Sequence, residues 1–500
     1  MLSPLLLALA LLARSCSCLP SPPFYFPQLV DHFSVATPGP PPTFQQRFYA
    51  NDTSFRGPGS PIICIMGGEE ALPPSKGILY PSLVVLAARL GAAIVEPEHR
   101  FFGESLPFPG PYSAAHLSLL TPQQALADSA AFIEAMRVQR GCTGRGGQPR
   151  CPVITAGGSY PGWQAAMMRV RFPAVVDMAY SASPAMGFYT GQVDPLGYYR
   201  VVTQSAARAS PTCPAAVRAL LARTLATGDK GAMVARLNLC QPLPAYLEEG
   251  SGELLKLELA MVFQYTWADL NMGNYPPTNA TRLAQACAAI EAGAHQDPWG
   301  TLAAFFGGFS SALGGAGSSS SSSSSSRPSG CFNVSAQMPS GPNATISSGD
   351  WSGVGRGDDG TSWDFQTCSL LTTPIGTNNV SDMFYPRAWD WAWLQAHCGS
   401  RFGIAPQPRT LPDLWGFDLE ALPRVTSRIV FTNGLNDGWS VGGVKQNLSS
   451  TLLAFNMPNG AHHSDLNYAW PNASTDTEDV SAVRSLVAGV LEGWLAELRG

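Results

Sequence analysis

Pro152-Val153-Ile154-Thr155-Ala156-Gly157-Gly158-Ser159-Tyr160-Pro161-Gly162-Trp163 carries a short β-prone run into a glycine pair, a serine and then a segment of helical character. That is the form of a nucleophile elbow, in which a tight strand-to-helix turn lifts one hydroxyl above the edge of a sheet. Gly157 and Gly158 suit such a turn because glycine accepts strained dihedrals and leaves room for close backbone approach. The usual pattern is G-x-S-x-G; here Pro161 holds the last glycine position and Gly162 follows it. A Gly-Gly-Ser string taken alone also reads as a plain turn, so the rest of the chain has to decide.

Working outward, Ile62 to Met66 and Ala92 to Glu96 are short apolar runs of the kind that form buried parallel strands. Thr121 caps a helix with Pro122 at its first position, running to about Arg140. Val175 to Ala182 follows the elbow as another strand. Alternation of this kind predicts an α/β fold, a parallel sheet with helices on both faces. From about 191 to 407 the character changes to helical stretches (Pro214 to Thr227, Leu254 to Asp269, Arg282 to Ala292). A serine tract, Ser318 to Ser326, lies within an insert at 314–330 that reads as disordered. Strand signals return at Arg428 to Thr432 and Leu452 to Asn456. The last helix has Val480, Val483, Val487, Val490 and Trp494 at helical spacing, with Thr475 and Glu478 spaced as a capping box. The expected organisation is a leader at 1–18, a sheet domain in two parts (19–190 and 408–500), and a helical cap at 191–407. Such a cap is expected over the C-terminal edge of the sheet, where α/β folds hold their ligands.

With 500 residues and 45% hydrophobic content, the chain can bury a large core. A net charge of −5 and only 13% charged residues, with no basic cluster, argue against nucleic acid as a partner. Leu2 to Ala13 is apolar but short for a bilayer, and reads as a signal peptide cleaved near Ser17. Because no Lys or Arg precedes it, an uncleaved anchor is the alternative. No later stretch suggests a membrane span. Sequons at Asn51, Asn279, Asn333, Asn343, Asn379, Asn447 and Asn472 add to the case for the secretory pathway, ending in a lysosome, a vacuole or the extracellular space. Beyond Cys16 and Cys18 of the leader, nine cysteines remain, an odd number in an oxidising lumen. Cys64, inside an apolar strand, is the expected free thiol. No metal-ligand spacing is present, and neither a metal nor another cofactor is expected.

A serine hydroxyl needs a base and a group that orients the base. Both follow the insertion. Asp437 lies in a glycine-rich loop past the strand at 428–432, and His462 and His463 lie past the next strand. The order Ser, Asp, His is that of α/β-hydrolases. Taken singly, Asp437 reads as an Asx-turn residue and the histidines as loop residues; the ordered set points to catalysis.

The elbow, the Asp437 loop and Gly460-Ala461-His462-His463-Ser464-Asp465-Leu466 resemble the serine exopeptidase family of lysosomal Pro-X carboxypeptidase and dipeptidyl peptidase II. So do Val30-Asp31-His32-Phe33, Thr43-Phe44-Gln45-Gln46-Arg47-Phe48, Glu98-His99-Arg100-Phe101-Phe102-Gly103-Glu104-Ser105 and Leu120-Thr121-Pro122-Gln123-Gln124-Ala125-Leu126-Ala127-Asp128. The resemblance runs from about residue 28 to the C-terminus. It implies an α/β-hydrolase sheet interrupted by a mainly helical cap, with Ser159 as nucleophile, Asp437 as orienter and His462 as base. The N–H of Tyr160 would form half of an oxyanion hole and the Gly67-Gly68-Glu69 turn, through Gly68, the other half. Trp439, Met383 and Trp163 match positions of an apolar prolyl pocket, for which core packing is the competing reading. The chain departs from the family at Pro161, Trp163, Gly438 and Asn467. The segment around Thr373 to Phe384 looks closer to dipeptidyl peptidase II. Peptides are the implied substrates, cut after proline or a small residue near one terminus. Glu69 is the candidate for holding a free α-amine, which tilts the reading toward dipeptide release. A Pro-Xaa carboxypeptidase is the alternative, and an esterase or lipase, or a non-catalytic binding protein, are the rivals of another class. The oligomeric state is left open, a homodimer included.

Overall fold

The computed structural model describes residues 22–35, 39–73, 77–310, 330–340, 344, 357–467 and 475–499. The expected leader at 1–18, the serine tract and the sequons Asn343 and Asn472 lie outside the described residues.

Among the described residues eight strands form one sheet: β1 (Phe24–Leu29), β2 (Thr43–Asn51), β3 (Ile62–Ile65), β4 (Ala93–Pro97), β5 (Val153–Gly158), β6 (Met178–Ala182), β7 (Ile429–Gly434) and β8 (Leu452–Met457), in the order β1-β2-β4-β3-β5-β6-β7-β8. From β4 to β8 every pairing is parallel, as the alternation of signals predicts. β1 and β2 extend one edge antiparallel, which that alternation does not anticipate. Their connection carries Pro38, Pro40, Pro41 and Pro42 in place of a crossover helix, so a parallel return is not open to it. The sixth strand begins at Met178, later than expected, because Val175 and Val176 turn back to hydrogen-bond the carbonyl of Phe172.

Period-two side-chain alternation splits the strands between two cores. Ile62, Cys64, Val95 and Val153 face one side, against α2 (Pro122–Gln139), α3 (Tyr160–Arg171) and the inserted helices. Ile63, Ile65, Ile94, Ile154 and Val430 face the other, against α1 (Pro81–Leu90) and α8 (Glu478–Arg499). Thr121 caps α2 as read, its hydroxyl accepting from Gln124 N at 3.3 Å. The Thr475–Glu478 capping box does not form: α8 starts at Glu478, and the buried Thr475 hydroxyl has no partner.

Between β6 and β7 the described residues from Met186 to Val425 are mainly helical. Four members of this insertion matter for the site: α4 (Gly197–Ala209), α5 (Gly252–Met272), α6 (Gly357–Ser369) and α7 (Trp391–Phe402). Among the described residues the disulfides are Cys142–Cys151, Cys213–Cys287, Cys240–Cys331 and Cys368–Cys398, and Cys64 is free and buried. Among the described residues no helix is long and apolar enough to cross a membrane.

Candidate active site

Strand order reverses at β3, whose neighbours are β4 and β5. The C-terminal ends of β3 and β5 therefore flank a switch point, where α/β sheets open a crevice. Out of β5 comes the elbow. Ser159 takes φ +64° and ψ −130° at the start of α3, a conformation that a non-glycine residue keeps only when its surroundings enforce it. They do so here: Ser159 N donates to the Ala182 carbonyl at 2.9 Å, and the Ser159 carbonyl accepts from Trp163 N at 3.0 Å. A side chain on Gly157 would meet the backbone of Pro161 at 2.6 Å, and one on Gly162 the Ala182 carbonyl oxygen at 2.6 Å. Gly162 thus serves as the close-approach glycine, which explains why proline is tolerated one position earlier.

Out of β3 comes the Gly67-Gly68-Glu69 turn. Gln164 of α3 donates to the Gly67 carbonyl at 2.7 Å, and a Cβ on Gly68 would lie 3.0 Å from Pro161 Cγ. The turn and the elbow are thus in contact, as an oxyanion hole built from both requires. Glu69 is half-buried, and its charge helps raise the pKa of Tyr80 and of Tyr160, behind desolvation in each case.

The other two candidates meet beyond β7 and β8. Asp437 is fully buried; one carboxylate oxygen accepts from Trp439 N at 3.0 Å and the other lies 2.6 Å from His462 Nδ1. A carboxylate at that distance holds the imidazole proton on Nδ1 and leaves the Nε2 lone pair for an acid–base partner. Two residues of the insertion fix the Asp437 loop, and sequence reading passed over both. Asn271 of α5 donates to the Asn436 carbonyl at 2.6 Å and accepts from Gly438 N at 3.0 Å, while Ser205 of α4 donates to the same carbonyl at 2.9 Å. His462 N donates to the Met272 carbonyl at 3.2 Å. His463 is anchored apart from the pair: its N–H donates to Ser183 Oγ at 2.9 Å and its Nδ1 lies 3.0 Å from Asn467 Oδ1. Desolvation, then the neighbouring His462, push its pKa well below the usual histidine value. The His463 ring lies against Gly158, where a Cβ would come within 2.6 Å of it, so the histidine loop rests directly on the elbow.

The motifs outside this set form a buried clamp under the site. Arg100 is fully buried, binds both oxygens of Asp128 at 2.6 Å, and donates to the carbonyls of Leu29, Val30 and Leu119. His32 also reaches Asp128, at 2.8 Å. Glu98 accepts from Arg47, Leu72 N, Glu104 N and Ser105. These residues order the loops between β1 and α2, and none of the bonds just described goes to Ser159, Asp437 or His462.

Trp163, Trp439 and Met383 are all buried. Trp163 stacks beside Tyr160 and edges Tyr189 and Phe417; Trp439 edges Phe188 and Tyr198. Phe188 and Tyr189, adjacent in sequence, each pack on one of the two tryptophans, and all four lie in the same core. Met383 sits further off, its N–H donating to Thr203 of α4 at 3.1 Å. Asp364, Cys368 and His397 come together in α6 and α7, but Cys368 is bonded to Cys398 and offers no thiolate to a metal.

The family model described as serine carboxypeptidase S28 matches residues 28–487. The chain belongs to that family. S28 membership makes it a serine-type exopeptidase. Its relatives include lysosomal Pro-X carboxypeptidase of Mus musculus, 29% identical over 490 residues (95% of this chain, 89% of the relative), and of Homo sapiens, 28% identical over 496 residues (95% and 88%). The thymus-specific serine protease of Mus musculus is 26% identical over 468 residues (91% and 85%). Among solved structures, proline iminopeptidase of Mycobacterium smegmatis aligns over 95% of this chain and 100% of its own, at 11% identity and a TM-score of 0.37. The strand order with an elbow after β5 makes the S28 chain an α/β-hydrolase. Its four disulfides fit the secretory or lysosomal setting of its relatives.

Proposed function

We propose that this chain hydrolyses peptide bonds after proline or a small residue near a peptide terminus, through Ser159, His462 and Asp437. The observation that carries the reading is the buried Asp437–His462 pair at 2.6 Å, lodged on the elbow that displays Ser159 in a strained turn. Ser159 Oγ attacks the scissile carbonyl, His462 Nε2 takes its proton and passes it to the leaving amine, and Asp437 stabilises the imidazolium. The N–H groups of Tyr160 and the Gly68 turn stabilise the oxyanion. Water then hydrolyses the acyl-enzyme by the same route. The helical insertion acts as a cap that admits short peptides and excludes folded proteins, and Trp163, Trp439 and Met383 supply apolar surface for the proline ring.

For direction, the relatives that span 95% of the chain are named Pro-X carboxypeptidases, which favours removal of a C-terminal residue. The second reading, dipeptide release, rests on Glu69, a half-buried carboxylate whose charge reaches Tyr160 beside the oxyanion turn. An α-amine would find a counter-ion there.

Ser159→Ala tests the chemistry. The folded variant should lose on the order of 10³-fold or more of kcat, and near-normal turnover would refute the assignment. Direction is settled by blocked peptides: a carboxypeptidase loses its substrate on C-terminal amidation and tolerates N-terminal acetylation, and dipeptide release shows the reverse.

A further inference from the structure

Tyr160 follows the candidate nucleophile and offers its backbone N–H to the oxyanion. Its side chain points elsewhere, into the seam between the sheet domain and the insertion, and is fully buried. There its hydroxyl has two neighbours: His99 Nε2 at 3.1 Å and Gln366 Nε2 at 3.1 Å. The direction of these bonds follows from His99. Its Nδ1 lies 2.7 Å from the Arg100 carbonyl oxygen, an acceptor only, so the ring proton sits on Nδ1 and Nε2 accepts. Burial lowers the His99 pKa to about 4, which keeps that tautomer neutral. The phenol therefore donates to His99, and its oxygen is left to accept from the Gln366 carboxamide. The chain of donors runs one way, from Gln366 through Tyr160 and His99 to the Arg100 backbone, and ends in the Arg100–Asp128 clamp.

Gln366 belongs to α6, and α6 reaches the other half of the oxyanion hole as well. Its Asp359 carboxylate accepts from Ala71 N at 3.2 Å, just past the Gly68-Glu69 turn, and from Gly103 N at 3.4 Å. Ser362 donates to the Phe101 carbonyl at 3.1 Å, and the Trp363 ring lies 5.3 Å from that of Tyr160. One helix of the insertion is thus bonded to Ala71, two residues past the Gly67-Gly68-Glu69 turn, and to the residue after the nucleophile.

We propose that α6 braces the oxyanion hole and that Gln366 is a positioning residue for catalysis, acting through the Tyr160 hydroxyl. The inference rests on the serine mechanism proposed above. Preorganised donors are effective only where they are held in place, and removing one oxyanion donor outright costs about 10²–10³ in kcat. Loosening the residue that carries a donor should cost less, about tenfold, and the loss should fall on kcat, since Gln366 is not placed against the substrate.

The test measures kcat, KM and the pH profile on a Pro-Xaa or Xaa-Pro reporter peptide, for Gln366→Leu, Gln366→Glu, Tyr160→Phe and the double variant Gln366→Leu/Tyr160→Phe. Gln366→Leu should lower kcat about tenfold with KM within about twofold. The double variant should be no slower than Tyr160→Phe alone, because both remove the same link. Gln366→Glu should donate to Tyr160 only while its carboxyl is protonated, so its kcat relative to the parent should rise on acidification, a signature that Gln366→Leu lacks. The proposal is overturned if Gln366→Leu keeps the parental kcat, if its loss adds fully to that of Tyr160→Phe, or if the Gln366→Glu profile parallels the parent's. Fluorophosphonate labelling of each variant and of Ser159→Ala separates the two readings. Labelled Ser159→Ala defeats the serine mechanism itself, whereas unlabelled Ser159→Ala beside Gln366→Leu at parental kcat defeats only the brace.

Discussion

Gly158→Ala should disable the enzyme without touching a reacting atom. The backbone of Gly158 lies outside the left-handed region, so alanine suffers no dihedral penalty, and the whole effect is steric. Its new methyl would sit 2.6 Å from Cδ2 and Cγ of His463 and 2.9 Å from Cβ, where ordinary contact begins near 3.4 Å. Relief requires a shift of about 0.8 Å, and because Cβ is among the clashing atoms, rotating the ring is not enough. His463 is tied at its N–H to Ser183 and at its ring to Asn467, and its ring centroid lies 4.4 Å from that of His462. The displacement therefore passes to His462. A misplacement of about 1 Å costs about 10²-fold in rate, close to 2.7 kcal/mol of transition-state stabilisation. Overpacking of this kind also costs about 1–3 kcal/mol of stability. The assay is kcat/KM on a proline reporter peptide, with thermal unfolding alongside. Adding His463→Ala removes the two closest atoms, leaving only Cβ at 2.9 Å, and should return much of the lost rate. Parental activity in folded Gly158→Ala, or no recovery in the double variant, would refute the claim that the histidine loop is seated on the elbow.

Three further outcomes follow from the geometry. His462→Ala should match Ser159→Ala in its loss of kcat, because the two act as a unit, while His463→Ala keeps substantial activity; the reverse order would move the base by one residue. Asn271→Leu removes two of the three bonds by which Asn271 and Ser205 hold the Asp437 loop and should lower kcat about tenfold, given about 0.5–1.5 kcal/mol for each hydrogen bond; unchanged turnover would show that the loop does not depend on Asn271. Glu96 is fully buried with one carboxylate oxygen unpartnered, and desolvation raises its pKa from 4.5 to about 8. A raised carboxyl keeps its proton in the folded state while the unfolded chain ionises, so stability is full below about pH 4.5 and is lost as pH rises toward 8. Glu96→Gln should therefore gain in Tm over the parent as pH goes from 4.5 to 8, and a constant difference in Tm across that range would remove Glu96 as the cause.

What could be read in the sequence was whatever local chemistry dictates. The elbow, the parallel strands, the Thr121 cap and the isolated Cys64 each depend on neighbours within a few residues. Asn271 and Ser205 were invisible because their role exists only once α4 and α5 fold back onto a loop more than 160 residues away. The capping box at Thr475 matched the spacing and still failed. Asp476 pairs there with Arg484, and Thr477 N donates to Tyr275 at 2.8 Å, so tertiary partners set where α8 begins. The conspicuous Glu98-His99-Arg100 string pointed to the family correctly, yet its charged members serve the scaffold. Only the donor pattern around His99 and Asp128 separates that role from a catalytic one.

The bond between Cys240 and Cys331 has a consequence for the stretch it encloses. Asn238, Cys240 and Phe332 exchange backbone hydrogen bonds beside that disulfide. Everything from 311 to 329, the serine tract included, lies inside that ring. A protease that severs the tract would produce two pieces that still migrate as one until a reductant is added.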